Sequence, residues 1–304
     1  MINQSVLNHI KQIVPVENLL VNEPMSRHTT FKVGGPADLF IRISAKEQLI
    51  SLVPFLRKLE LDYFVIGNGS NLLVGDRGYQ GVILSISECL NGINIKDDCI
   101  VAEAGAMLSR VSELAASQSL AGMEFASGIP GTIGGAVVMN AGAYGGEMSS
   151  ITESVLVMDS KGEEMVLSNE TMEFAYRNSV VKNRPYIVLA VTLRLAKGDA
   201  AQINQKIDEL KKRRREKQPL EYASAGSTFK RPPGKFAGKL IMEAGLRGFS
   251  IGGASVSEKH CGFVINEGNA TALDILEVIK EAKERVYDRF DIKLEPEIIF
   301  LGDF

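Results

Sequence analysis

The sequence predicts an α+β protein in two parts. Three observations carry that expectation. Strand-like alternation and 3.6-residue periodicity follow each other from residue 28 onward, glycine gathers in two stretches beside strand-like segments, and the pattern changes near residue 199. A length of 304 residues fits roughly two domains at ~100–200 residues each.

The elements follow in order. Leu7, Ile10 and Val14 recur at helical spacing, so residues 1–27 read as an amphipathic helix and a connector. DLFIRI (38–43) reads as a strand. Residues 45–59 read as a helix with Leu49, Leu52, Val53 and Leu56 on one face, and Pro54 is expected to distort it. Residues 63–66 form a short buried strand running into Gly67, and residues 82–86 another, which makes 28–87 an α/β unit. Short strands at 93–95 and 100–103, a helix at 108–118, and strands at 155–158, 164–167 and 187–195 make a second unit, 88–198. After the turn Lys197-Gly198-Asp199, a helix marked by Ile203, Ile207 and Leu210 ends in the run 211–217 before Pro219. Residues 199–304 then form a smaller α+β domain, with helices at 236–244 and 271–289 and strands at 263–265 and 292–300.

Composition narrows the function. Thirty-four basic against 37 acidic residues give a net charge of −3, unlike a dedicated nucleic-acid binder. Cys89, Cys99 and Cys261 are odd in number and far apart, and only His9, His28 and His260 are histidine. Neither a disulfide framework nor a metal site is expected, and a reducing compartment fits. The amino terminus lacks a cationic stretch followed by an apolar block, so no signal peptide is evident. The uncharged run 125–146 has seven glycines in 22 residues, too poor in helix formers for a membrane span, and reads as a loop. A soluble, cytoplasmic protein is expected, without a nucleic-acid or membrane partner and monomeric or weakly oligomeric.

The glycine stretches carry the chemistry. FVIGNGSN (64–71) sets a glycine turn directly after an apolar strand, where Gly67 and Gly69 permit positive φ and successive N–H groups can hold a pyrophosphate. An ordinary strand-ending turn explains that segment equally well. The Rossmann fingerprint fails because Leu72 stands at the third glycine position. From Gly122 to Gly146, eight glycines fall in 25 positions. Ordering so many glycines costs backbone entropy, so a ligand or very close backbone packing is expected to compensate. Together the two loops suggest a dinucleotide held by backbone donors.

The segments VIGNGSNLLV, GMEFASGIPGTIGGAVVMNAGAYGGE, AYRNS, SAGSTFKRP and LEPEIIF occur in the order found in one family. From about His28 to its end the chain resembles the UDP-N-acetylenolpyruvoylglucosamine reductases. The resemblance implies a two-subdomain FAD-binding fold of the vanillyl-alcohol-oxidase (PCMH) type, a following substrate domain, non-covalent FAD and NADPH as hydride donor. It implies flavin contacts at Ile66, Gly67, Asn68, Gly69, Ser70 and Asn71, and at Ser127, Ile129, Pro130, Gly131, Thr132, Gly134 and Gly135. The short segment after Arg177 is similar to the compact subtype, which lacks a substrate-covering insertion.

Three catalytic residues follow from the same resemblance. Arg177 in AYRNS would stabilise an enolate, a role suited to a fixed guanidinium fork. Ser227 in SAGSTF would donate the proton. On the strand expected at 292–300, alternation puts Glu295 and Glu297 on one face, and spacing does not choose between them. The family motif selects Glu297. Six of the seven residues at 211–217 are basic, which reads as a solvated helix end; the resemblance turns Lys217, with Lys230 and Arg231, toward a UDP diphosphate. Position 231 is arginine where some relatives have asparagine. Tyr144, in Gly142-Ala-Tyr-Gly145, is a further candidate for substrate contact. A flavoprotein oxidase tethering its cofactor through His28 and a non-enzymatic flavin sensor are the alternatives.

Overall fold

The structure, a computed structural model, describes residues 2–88 and 90–304, so Cys89 lies outside the described residues. Helix α1 (Gln4–Ile13) starts where Asn3 accepts from the Val6 N–H. Strands β1 (Leu19–Pro24) and β2 (Pro36–Arg42) precede α2 (Lys46–Lys58), which buries the expected Leu49, Leu52, Val53 and Leu56 and runs through Pro54 as one element. Each such side chain contributes roughly 1.5–3 kcal/mol on burial. Next come β3 (Tyr63–Ile66), β4 (Leu72–Val74), β5 (Tyr79–Ser85), β6 (Ile93–Lys96), β7 (Cys99–Glu103), α3 (Leu108–Ser117) and β8 (Leu120–Ala121).

Three elements lie in or beside the glycine-rich run: α4 (Ile133–Val138), β9 (Gly142–Ala143) and β10 (Gly146–Glu147). They are followed by β11 (Thr152–Met158), β12 (Glu164–Ser168), α5 (Val180–Asn183), β13 (Ile187–Arg194), β14 (Ala196–Lys197) and α6 (Ala200–Lys217). The chain finishes with α7 (Ala237–Glu243), β15 (Ser250–Ile251), β16 (Ala254–Val256), β17 (Val264–Asn266), α8 (Ala272–Phe290) and β18 (Ile299–Leu301).

Two compact units result. One comprises Met1–Val21, Leu39–Asn68 and Gly81–Arg214; the other comprises Asn22–Asp38, Gly69–Gln80 and Arg215–Phe304. Residues 197–199 lead from β14 into α6, where Asp199 Oδ1 accepts from the Gln202 N–H at 2.8 Å. The change of unit falls further along that helix.

A five-stranded antiparallel sheet, β12-β11-β13-β7-β6, backs the core of the first unit. In the sheet ordered β1-β2-β5-β3, the β3–β5 pair is parallel. The second unit has its own core, in which α8 contributes Ile275, Val278, Ile279, Ala282 and Val286. Its sheet is β15-β16-β17, and β18 pairs with β4 in parallel.

Two expectations need correction. The run 125–146 is not a loop throughout, since it holds α4 and the β9–β10 hairpin. Thr132 caps α4 through its Oγ1 to the Gly135 N–H at 3.4 Å, and the Ile133 and Gly134 N–H groups donate to Ala106 and Ala104 at 2.8 and 2.9 Å. Tertiary anchoring overrides glycine's poor helix propensity. The expected strand 292–300 is regular only at Ile299–Leu301. Pro296 has no N–H to donate, and its neighbourhood pairs with Phe229 through an isolated bridge instead.

Candidate active site

The first unit brings parts of both glycine stretches together. Asn68 Nδ2 donates to the Pro130 carbonyl at 2.6 Å. A Cβ on Gly67 would lie 2.3 Å from Thr132 Oγ1, so only glycine allows that approach. Gly134 is also closely packed, since a Cβ there would meet Ala104 Cβ at 2.9 Å. Leu108 donates to the Gly131 carbonyl at 2.9 Å, and Ile129 to Ala126 at 3.0 Å. Ser127 is buried and its hydroxyl donates to Glu124 at 2.9 Å, so this side chain supports the loop from within.

The cofactor requirement can be tested on the turn after β3. Among the described residues, nothing accepts from the N–H groups of residues 67–71. Five consecutive unbonded donors with Gly69 at φ +60° make a nest for a phosphate or pyrophosphate. The Thr30 hydroxyl is buried with no partner among the described residues, beside the Gly69 carbonyl that accepts from its N–H at 3.3 Å. Residues 67–71 fit the dinucleotide, and Ile66 leads into them from β3. Asn71 is different: its Nδ2 donates to the Glu297 carbonyl at 3.2 Å and its own carbonyl accepts from Ile299 at 2.9 Å. The first-turn N–H groups of α4 already have partners within the chain.

Arg177 stands in a tight turn. Ala175 and Asn178 exchange hydrogen bonds of 3.0 and 3.1 Å, and Arg177 between them has φ +55°. That position normally takes glycine or asparagine, and holding a bulky residue there costs on the order of 1–3 kcal/mol. The guanidinium donates to the Asn140 and Gly142 carbonyls at 3.4 and 3.2 Å. Tyr144 and Gly145, at φ +53° and +92°, close the β9–β10 hairpin as a two-residue turn of the primed type. Tyr144 is thereby displayed, with the Arg213 guanidinium 5.3 Å from its ring centroid. Arg214 lies against Gly128, where a Cβ would come within 2.7 Å of Nη1. Burial pushes its pKa down, an effect that nearby Tyr144 opposes.

In the second unit, the chain from Thr228 to Lys230 pairs antiparallel with Glu295 to Glu297. Glu297 donates to Thr228 at 2.8 Å, and Lys230 to Glu295 at 2.9 Å. Ser227 therefore stands one residue from the partner of Glu297. The two glutamates differ in exposure. Glu295 is 72% exposed and ion-paired with Lys230 at 3.1 Å, whereas Glu297 is half-buried. The exposed Ser227 lines a cavity of about 350 Å³ together with Arg231, Lys239, Arg247, Lys259 and His260. Four cations suit a diphosphate. Arg231 stacks over Phe236 at 5.3 Å. Lys217 is exposed at the end of α6. His260 accepts from the Gly262 N–H at Nδ1, 3.1 Å, and burial lowers its pKa.

Comparison with known proteins decides the family. Residues 218–301 match the family model described as the C-terminal domain of UDP-N-acetylenolpyruvoylglucosamine reductase, and residues 37–168 match that of an FAD binding domain. A UDP-N-acetylenolpyruvoylglucosamine reductase from Caldanaerobacter subterraneus subsp. tengcongensis is 49% identical over 298 residues, covering 98% of each chain. The chain belongs to the UDP-N-acetylenolpyruvoylglucosamine reductase family.

As a member, it is an FAD-dependent oxidoreductase. The crystal structure of the reductase from Thermus caldophilus superposes with a TM-score of 0.79 at 35% identity, over 93% of this chain and 98% of that one. A glucose dehydrogenase, Phl p 4.0202, matches 65% of this chain and 45% of its own at a TM-score of 0.51 and 14% identity, which shows the fold alone. The FAD-binding fold of the vanillyl-alcohol-oxidase type, followed by a smaller α+β domain, is thus as expected. No helix among the described residues is long and apolar enough to cross a membrane, and no group of three His, Cys, Asp or Glu among them could hold a metal. His28, the residue weighed for a covalent tether, has Nε2 2.9 Å from Glu23 Oε1.

Sequence reasoning missed Asn140, Thr30, Arg214 and His260. Asn140 lay within a motif read for its glycines, and its left-handed backbone leaves no trace in periodicity. The Thr30 hydroxyl and the setting of Arg214 and His260 are products of tertiary packing.

Proposed function

We propose that this chain reduces the enolpyruvyl ether of UDP-N-acetylglucosamine-enolpyruvate to UDP-N-acetylmuramate, using NADPH, in peptidoglycan precursor synthesis in the cytoplasm. Family membership supports the reaction class. The observation that supports the mechanism is the pairing of Thr228–Lys230 with Glu295–Glu297, which sets Ser227 and the half-buried Glu297 on neighbouring paired segments.

FAD, when bound, would supply two-electron hydride chemistry between NADPH and the methylene carbon of the substrate. Residues 67–71 would hold its pyrophosphate through backbone N–H groups, with Ile66 at the end of β3 beside them. Ser127, Ile129, Pro130, Gly131, Thr132, Gly134 and Gly135 form the other wall of that site. Hydride addition leaves negative charge on the neighbouring carbon, delocalised into the carboxylate. The Arg177 guanidinium stabilises that enolate with charge-assisted hydrogen bonds. A protonated Glu297 donates a further hydrogen bond to it. Ser227 delivers its hydroxyl proton to carbon, and a strongly basic enolate carbon makes this weak acid sufficient when geometry is fixed. Lys217, Lys230 and Arg231 hold the diphosphate, and Tyr144 contacts the sugar nucleotide. Substrate domain 199–304 and flavin domain 28–198 (subdomains 28–87 and 88–198) divide this work, with 1–27 as an N-terminal helix and connector, in a monomer or weak oligomer.

Ser227→Ala tests the reading. Flavin bleaching by NADPH is expected to proceed at the wild-type rate. Reoxidation by the sugar nucleotide should fall ~10²–10⁴-fold. Near-normal product formation would remove Ser227 from the chemistry.

A further inference from the structure

We infer that Asn140 is a positioning residue for Arg177, holding its guanidinium in the orientation that engages the substrate carboxylate. The inference rests on the role proposed for Arg177 and deepens it. Asn140 is 1% exposed and adopts φ +41°, a left-handed conformation that asparagine tolerates better than most residues. Every polar group it carries has a specific partner. Its N–H donates to Val137 at 3.2 Å, at the end of α4. Its Oδ1 accepts from the Ser149 N–H at 2.9 Å. Its Nδ2 donates to the Ala175 carbonyl at 3.1 Å, the group that also closes the Arg177 turn by accepting from Asn178. Its own carbonyl receives Arg177 Nη1 at 3.4 Å.

Asn140 thus grips Arg177 at both ends. Its side chain pins the base of the turn, and its main chain, with Gly142, receives the guanidinium. The left-handed backbone is what lets one residue do both, because it turns the carbonyl away from the helical path of α4. A residue of ordinary φ would carry that carbonyl elsewhere. Ser179, fully buried, adds a second clamp by donating to Val138 at 2.9 Å. The Arg177 turn is therefore fastened to the end of α4 on both sides.

Asn140→Asp keeps a side chain compatible with left-handed φ and an acceptor for Ser149, but loses the donor to Ala175. The holoenzyme variant should retain wild-type FAD content and wild-type bleaching by NADPH. Its reoxidation by the sugar nucleotide should fall about 10- to 100-fold, as expected when a partner in one hydrogen-bond network is cut. The decisive arm is the cycle with Arg177→Ala. Asn140→Asp/Arg177→Ala should be no slower than Arg177→Ala alone, because a misplaced group and an absent one are equivalent. Asn140→Gly, which also permits positive φ, should behave alike and serves if the aspartate variant misfolds. Losses that multiply, or bleaching by NADPH that falls in parallel with reoxidation, would overturn the positioning role while leaving Arg177 in place. An Arg177→Ala enzyme with normal reoxidation would overturn the reading of Arg177 and this inference with it.

Discussion

Gly67→Ala is the sharpest probe of the cofactor loop. The new methyl carbon would stand 2.3 Å from Thr132 Oγ1, 2.9 Å from its Cγ2 and 3.1 Å from its Cβ. Ordinary contact begins near 3.4 Å, so about 1 Å must be opened. Thr132 cannot yield easily, because it is 1% exposed and its hydroxyl caps α4. The strain of such overpacking is typically ~1–3 kcal/mol. Relief of that strain requires the loop to move away from Thr132, which displaces the N–H groups aimed at the pyrophosphate. FAD should bind about 5- to 150-fold more weakly, the factor corresponding to that strain. Thr132→Ala in the same chain deletes Oγ1 and Cγ2, the two nearest of these atoms, and leaves the 3.1 Å contact to Cβ. That second change should restore most of the affinity, less ~1 kcal/mol of helix stability for the lost cap. Flavin absorbance kept through desalting, and a titration of apoprotein followed by FAD fluorescence, read both variants. Wild-type affinity in Gly67→Ala, or no recovery in the double variant, would refute the close-packed loop as the flavin grip.

Two other outcomes are expected. Glu297→Ala should slow turnover ~10²–10³-fold, as removal of a transition-state donor does. Glu297→Gln should be about tenfold faster than the alanine variant, since the amide still donates; equal rates would exclude the neutral-donor role. Burial holds the His260 pKa below its ordinary 6.5. The unfolded chain takes up this proton near pH 6.5 while the folded chain resists it, so His260 contributes stability above that pH and loses it as pH falls through the folded value. Melting temperatures across pH 5 to 7.5 should decline less steeply toward acid in His260→Gln, and an unchanged slope would contradict the assignment.

Periodicity exposed what packing enforces. The stripes of α2 and α8 were legible because one apolar face repeats at the helical period and each unit buries that face in its own core. Strand β4 was not, since Leu72–Val74 follows directly on a glycine turn and is recruited by β18 from the far end of the sequence. The glycine-bearing α4 was hidden for a related reason: its stability comes from the Thr132 cap and from the Ala104 and Ala106 carbonyls, none of which periodicity reveals. In the site, the glycine loops announced a backbone grip, and the family motifs supplied Arg177, Ser227 and Glu297. The choice of Glu297 over Glu295 came from the family motif alone; the structure adds that Glu295 is exposed and paired with Lys230. The strained turn under Arg177 had no signature in composition or spacing.

An anaerobic spectrum of the purified holoenzyme tests the account most directly. NADPH should bleach the flavin band, and the enolpyruvyl sugar nucleotide added afterwards should restore it within the mixing experiment while UDP-N-acetylmuramate accumulates in equal amount. A band that bleaches and stays bleached when the sugar nucleotide arrives would contradict the proposed chemistry.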